Sequence, residues 1–169
     1  MQPLYLLTAV DARRAEQAGS SRATTIAKLT IPSIKFLTVS HSAGGGVMGV
    51  DYALPRIEPV EPAFSVKGID ADIFTGLGSR ERWTFAGAYR TDRGATVPGR
   101  CIIEGAIVEW APDESDPAEF QGCNHVFKEV VHYEFSLNGE ELWYIDANER
   151  VMRRKGIDLF AQTRIALGA

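Results

Sequence analysis

The stretch Phe127-Lys128-Glu129-Val130-Val131-His132-Tyr133-Glu134-Phe135-Ser136-Leu137-Asn138-Gly139-Glu140-Glu141-Leu142-Trp143-Tyr144-Ile145-Asp146 decides the fold class. Phe127, Glu129, Val131, Tyr133, Phe135 and Leu137 place five apolar side chains of six on one face, and Lys128, Val130, His132, Glu134 and Ser136 line the other. Side chains alternate across a strand with period two, so this run is a long, half-buried strand. Asn138-Gly139 is the strongest short hairpin signal, and Glu141 to Asp146 supplies the returning strand. Residues 125–146 read as a β-hairpin.

Working outward, Trp83, Phe85 and Tyr89 alternate with Thr84, Ala86 and Ala88, and the turn Asp92-Arg93-Gly94 leads to a second extended run from Val97 to Trp110. Further strands are expected over 4–10, 26–31, 34–39 and 60–66, with Pro62 placing the start of the last at an edge or bulge. Helix is scarce: a capped turn over 70–76 with Asp70 as N-cap, and a short helix over 157–167 after Gly156. Gly44-Gly45-Gly46 with Pro55 and Pro59 predicts an irregular connection over 40–59, and loops of that length in a compact domain usually have a job. The chain reads as mainly β.

At 169 residues the chain fits one domain, 1–169. Its 45% hydrophobic and 24% charged residues are those of an ordinary globular protein rather than a disordered or fibrous one. No stretch approaches the ~20 apolar residues of a membrane span, and the amino end lacks the basic opening of a secretory signal, so the protein is expected to stay in the cytosol where it is made. A net charge of -4 and pI near 5.4 argue against a nucleic-acid binder, which needs clustered cations to neutralise phosphates.

Catalytic patterns fail on context. Gly44 to Gly49 satisfies G-x-G-x-x-G, but Val50-Asp51-Tyr52-Ala53-Leu54-Pro55 follows where a helix N-terminus would have to hold the pyrophosphate. His125 and His132 sit seven apart on one strand, hence on opposite faces, and His41 lies in the connecting loop, so the three do not converge as metal ligands. No serine sits in a nucleophile elbow, and Glu140-Glu141 and Asp113-Glu114 are turn charges more simply than a catalytic pair. No catalytic, cofactor-binding or metal residue is assigned, no cofactor is expected, and the chain is read as not an enzyme. Arg150 with Arg153-Arg154-Lys155 is either a contact for an acidic partner or a solvated turn. Aromatics such as Trp83, Trp110 and Trp143 are core, or in some cases anchors of a subunit interface.

The order of segments carries a resemblance. Leu29-Thr30-Ile31-Pro32-Ser33-Ile34-Lys35, then Ala43-Gly44-Gly45-Gly46 with Val50-Asp51, then a strand closing on Gly68 and a short helix, resembles the major tail tube proteins of contractile-tailed phages and R-type pyocins. The likeness continues through Phe85-Ala86-Gly87-Ala88-Tyr89-Arg90, Ile103-Glu104-Gly105, the run 131–142, Ile145-Asp146, and the ending from Gly156-Ile157-Asp158 to Gly168. It covers nearly the whole chain; residues 11–25 and 111–124 depart from the pattern.

The resemblance implies a ring-forming fold, a two-sheet β-barrel or sandwich with one or two short helices. It implies hexameric rings stacked into a tube inside a contractile sheath, a virion structure assembled in the host cytoplasm. The implied partners are the chain itself, the tail sheath, the tape measure, the baseplate and the tail terminator, while DNA passes through the lumen without specific binding. An acidic wall suits such a conduit, since a basic one would trap a polyanion. Residues 1–25 are expected to form a strand or an arm. The extended 40–59 loop, with Ser42, Gly44, Gly45, Gly46, Met48, Asp51 and Tyr52, is the expected contact between subunits and between rings. Glu61, Ser65, Lys67, Glu104, Lys128, His132 and Glu134 are candidates for the lumen face.

If 100–111 pairs antiparallel with 124–137, Cys101 and Cys123 lie at opposite ends, roughly 33 Å apart at strand rise, too far for an intramolecular bridge. Two free thiols, or a disulfide between neighbouring subunits once the particle leaves the reducing cytosol, are the two readings. The rival functions are a tube protein of a type VI secretion system, which shares the fold, and a β-barrel ligand-binding module such as a cupin or lectin. The latter would need the clustered histidines that the sequence lacks.

Overall fold

The computed structural model describes residues 3–15 and 20–168. The strands among them are β1 (Tyr5–Arg14), β2 (Ile26–Thr30), β3 (Phe36–His41), β4 (Val50–Ile57), β5 (Ala63–Lys67), β6 (Arg80–Thr91), β7 (Thr96–Pro112), β8 (Gly122–Leu137), β9 (Glu140–Asp146), β10 (Val151–Arg154) and β11 (Ile157–Asp158). A 3-10 helix (Ala71–Thr75) follows β5, and α1 (Ala161–Ala166) follows β11.

The hairpin at 125–146 forms as read, β8 returning as β9. Asn138 and Gly139 both take positive φ, 52° and 81°, the pair of values that matches a tight turn to strand twist. Around it runs one antiparallel sheet in the order β1-β6-β7-β8-β9-β10-β11, with β5 pairing the first part of β8 and β2 pairing β5. A second sheet holds only β3 and β4. The large sheet is not a closed barrel, because β1 and β2 are not paired.

β8 does not alternate without interruption. Its register against β7 shifts between Glu104 and Ala106 and again between Ile107 and Glu109. Glu129 takes a positive φ of 52°, and a Cβ on Gly105 would lie 3.0 Å from the Lys128 carbonyl oxygen and from a Val130 methyl. Bulges of this kind bend a strand, and here the first part of β8 carries β5 and β2 back over β6 and β1. Phe64 of β5 therefore meets Trp83 and Phe85 of β6, at 5.5 and 6.0 Å between ring centres. Phe127 closes the aromatic cluster 5.7 Å from Trp83 and 5.8 Å from Phe85. Ile103, Ile107, Val66 and Tyr133 complete the core between the two layers.

The amino-terminal strand is longer than expected, running to Arg14 and pairing with β6 throughout, so 5–14 is part of the sheet. Of the 1–25 segment, residues 1, 2 and 16–19 lie outside the described residues. Arg14 and Arg22 anchor what surrounds them: their guanidinium groups lie 5.3 and 4.9 Å from the centre of the buried Trp83 ring. Arg22 pairs with Asp70 and with Asp72 at 2.8 Å, and Arg14 pairs with Glu81 at 2.9 Å. Asp70 is also the N-cap of the 3-10 helix, accepting from the Asp72 amide as the sequence predicts.

Three expectations are corrected. Residues 40–59 are not an irregular loop, because β4 runs through Pro55. Between Phe36–Ile57 and Thr38–Ala53 the register shifts, and this bulge takes up the proline that could not donate in a regular ladder. The strand expected from Val60 starts at Ala63, after Pro62. The helix expected over 157–167 shrinks to Ala161–Ala166, since Ile157 and Asp158 pair as β11 with Arg154 and Arg153. No helix among the described residues is long and apolar enough to cross a membrane.

Candidate assembly interface

The β3–β4 hairpin projects from the body as an arm. At its root Phe36 meets Trp143 edge to face at 6.1 Å, and Glu58 donates its amide to the Lys35 carbonyl. Beyond the root none of the described residues covers it. Phe36 and Leu37 are adjacent and so point to opposite faces, yet they are 38% and 37% exposed. Val39 is 51% and Tyr52 57% exposed, Met48 74%, and Val47 wholly so. An isolated two-stranded ribbon is marginal in water, and one showing apolar side chains on both faces is built to be covered. Ser42, Gly44, Gly45 and Gly46 form the tip, where the Gly46 amide donates to the Ala43 carbonyl; Asp51 accepts from the Ser40 hydroxyl on the stem. His41 ends β3 instead of lying in a loop.

Unpaired strand edges are the second feature. β2 pairs only β5, and the register of β7 with β6 ends at Ala106, leaving the last part of β7 paired only to β8. In the layer β2-β5-β8-β7 both outer strands thus offer backbone groups, a hazard unless another chain takes them up.

The polar residues read as lumen candidates fall into two sets. Ser65 lies between buried Phe64 and Val66 and so faces away from the core, as does Lys67; nearby, the Lys128 ammonium pairs with Glu61. Glu104 and Glu134 are on the other layer, opposite His132 and Tyr144 respectively. The layers share one core, so their outward faces look in opposite directions, and a single wall can hold only one set. Beside Glu134 the face is tightly paired. Arg153 lies 3.7 Å from the centre of the Tyr144 ring and makes two bonds to Glu141, of 3.0 and 2.8 Å. His132 approaches Asp146 at 3.1 Å. Burial pushes the Asp146 carboxyl up, but hydrogen bonds from the Glu149 amide, His132 and the Asn148 amide outweigh it and leave it below the ordinary value.

Cys101 and Cys123 lie opposite Phe135 and Pro112, at the two ends of the β7–β8 ladder, and both thiols are free and buried. Burial pushes the Cys101 thiol up to about 12, so it is neither exposed nor ionised. A bridge to a neighbouring subunit would require each strand to open first, which weighs against that reading. His125 is wholly buried and stacked 4.8 Å from Phe64, and burial lowers its pKa from 6.5. It is a core histidine. Sequence reasoning passed over the Arg14–Trp83–Arg22 arrangement, since arginines spaced along a connection carry no periodic signal.

No curated protein matches the chain. Among solved structures, a chain from the cryo-EM structure of the anti-feeding prophage baseplate, six-fold symmetrised, superposes with a TM-score of 0.51 at 10% identity. The match covers 76% of this chain and 89% of that one, and at such identity it supports the fold alone. The sequence profile of phage tail tube protein FII matches residues 13–168. The mainly β fold and the resemblance read from segment order agree with that match, and the chain belongs to the phage tail tube protein FII family, as a structural subunit of a tail tube.

Proposed function

We propose that the chain closes hexameric rings which stack into the inner tube of a contractile tail, and that the tube conducts DNA without binding it specifically. The carrying observation is the β3–β4 arm, apolar on both faces and uncovered in the single chain. The unpaired edges of β2 and β7 favour ring closure through the layer β2-β5-β8-β7, one copy's β2 taking up the next copy's β7. On that arrangement the face bearing Glu61, Ser65, Lys67 and Lys128 is the lumen wall, and Glu104 and Glu134 look outward toward the sheath.

The arm residues Ser42, Gly44, Gly45, Gly46, Met48, Asp51 and Tyr52 contact neighbouring subunits in this reading. Further partners are the sheath, the tape measure, the baseplate and the tail terminator, met during assembly in the host cytoplasm. A structural family favours a chain without catalysis.

Replacing 42–49 with a two-residue Asn-Gly turn tests the arm. The expected product has the parent's thermal unfolding but stays a monomer by light scattering at concentrations where the parent assembles. A shortened chain that assembles as the parent does would remove the arm from the interface.

A further inference from the structure

The two ends of the β7–β8 ladder differ in charge, and both are apolar at their tips. β8 spans 16 residues and bends at Glu129, and the ladder ends at Pro112–Cys123 on one side and Gly99–Leu137 on the other.

At one end the loop 112–121 joins β7 to β8. It holds four carboxylates, Asp113, Glu114, Asp116 and Glu119, and no lysine or arginine. Asp113 accepts from the Gly122 amide and is used locally; Glu114, Asp116 and Glu119 project into solvent. Phe120 beside them is 88% exposed. Gly68 donates its amide to Gln121, which brings Ile69, 75% exposed, to the same end, and Phe74 extends the apolar ground from its seat on Trp110 at 5.1 Å.

At the opposite end lie the β6–β7 turn, which carries Asp92 and Arg93, and the end of β10 at Arg154, followed by Lys155 in the β10–β11 turn. The placement follows from register: Arg90 pairs with Thr96 at the start of β7, and Arg154 pairs with Trp143, which faces Phe135 near the end of β8. Arg93 and Arg154 are exposed with no acidic partner among the described residues, whereas Lys155 pairs with Glu140 at 3.1 Å. Leu4 and Leu6, 73% and 64% exposed, border this end, since the Asp92 amide donates to the Leu4 carbonyl.

An acidic loop with Lys67 at its edge and exposed aromatic and aliphatic side chains, and a rim where Arg93, Arg154 and Lys155 outnumber Asp92 and Glu140 beside exposed leucines, are complementary surfaces at opposite ends of one ladder. Contacts of that kind are heterologous: they repeat without limit when they do not close. β5 runs toward the acidic loop, so its partner β2 runs away from it.

We infer that copies of this chain stack head to tail through these ends, the acidic 112–121 loop and Phe120 of one copy seating on the Arg93 and Arg154 rim with Leu4 and Leu6 of the next. The inference rests on the tube reading and adds an electrostatic stacking surface distinct from the arm. It also gives a role to the 112–121 segment.

Three full-length variants test it: Glu114→Lys with Glu119→Lys, Arg93→Glu with Arg154→Glu, and all four substitutions together. All are at exposed positions, and matching thermal unfolding confirms that each folds. Electron microscopy and sedimentation should show that either double reversal keeps rings but needs at least roughly tenfold more protein to form tubes, while the fourfold exchange restores them. Wild-type tubes should also shorten between about 0.1 M and about 1 M salt. Double reversals that build tubes as the parent does, or a fourfold exchange that fails to restore them, would overturn the inference, including the case in which the acidic loop instead meets a basic segment of a different tail protein. Failure of the wild-type chain to form any ring is a separate result, and it counts against the tube reading itself.

Discussion

Phe64 of β5 lies 6.0 Å, ring centre to ring centre, from Phe85 of β6, although β8 and β7 separate the two strands in the sheet. That contact exists only because β8 bends and folds one part of the sheet over another. It fixes which faces share the core and which look outward.

Phe64→Ala removes the side chain that touches Trp83, Phe85, Phe127 and His125 at once. Loss of a fully buried phenylalanine costs about 3–5 kcal/mol. Urea unfolding should show a loss of unfolding free energy of that size, and a change within experimental error would mean the layers are not held by this cluster.

Arg22 is 5% exposed and joins the described segment after β1 to the 3-10 helix through Asp70, Asp72 and the face of Trp83. Arg22→Ala takes the cation from partly buried Asp70 and the guanidinium from the face of Trp83, while Asp72 keeps Arg14 at 3.6 Å, a loss of about 3 kcal/mol. The same urea measurement reads it. Arg13→Ala, at an exposed position on the neighbouring strand, should cost under about 1 kcal/mol.

His125 gives the fold a pH dependence above the carboxylate range. Its folded pKa is lowered from 6.5 by burial, so the unfolded chain takes up a proton that the native core refuses. Stability is full above about pH 6.5 and falls as pH drops through that value toward the folded pKa. The paired carboxylates Asp146 and Asp158, also lowered, lose their contribution only below their ordinary value of 3.8. Melting temperatures from pH 7.5 to 5 should decline in the parent and flatten in His125→Phe; equal slopes would assign the dependence elsewhere.

The two thiols should resist modification. Cys101 and Cys123 are 1% and 3% exposed, so a thiol reagent should label neither in the native chain and both after denaturation. Non-reducing electrophoresis of oxidised tubes should give monomer alone. A dimer band would restore the bridge between subunits.

Much of this was written locally. The alternation from Phe127 to Leu137 and the Asn138-Gly139 turn specify their hairpin because strand period and turn geometry are properties of neighbouring residues. Asp70 announces its cap for the same reason. Pro55 misled, since a proline argues against a strand unless a bulge absorbs it, and the bulge depends on how Phe36 and Thr38 pair across the arm. Glu104 and Lys128 look alike as polar positions on long strands. Only the bend at Glu129 sends them to opposite outsides, and nothing in the sequence marks that residue as one with positive φ.

The central claim is that this chain is a tube subunit that assembles with itself. Negative-stain electron microscopy of the purified full-length protein at high concentration tests it most directly. A tube subunit gives rings with a central hole, or hollow tubes of uniform width built from them. A chain that stays monomeric at every concentration, even when seeded with baseplates, would contradict it.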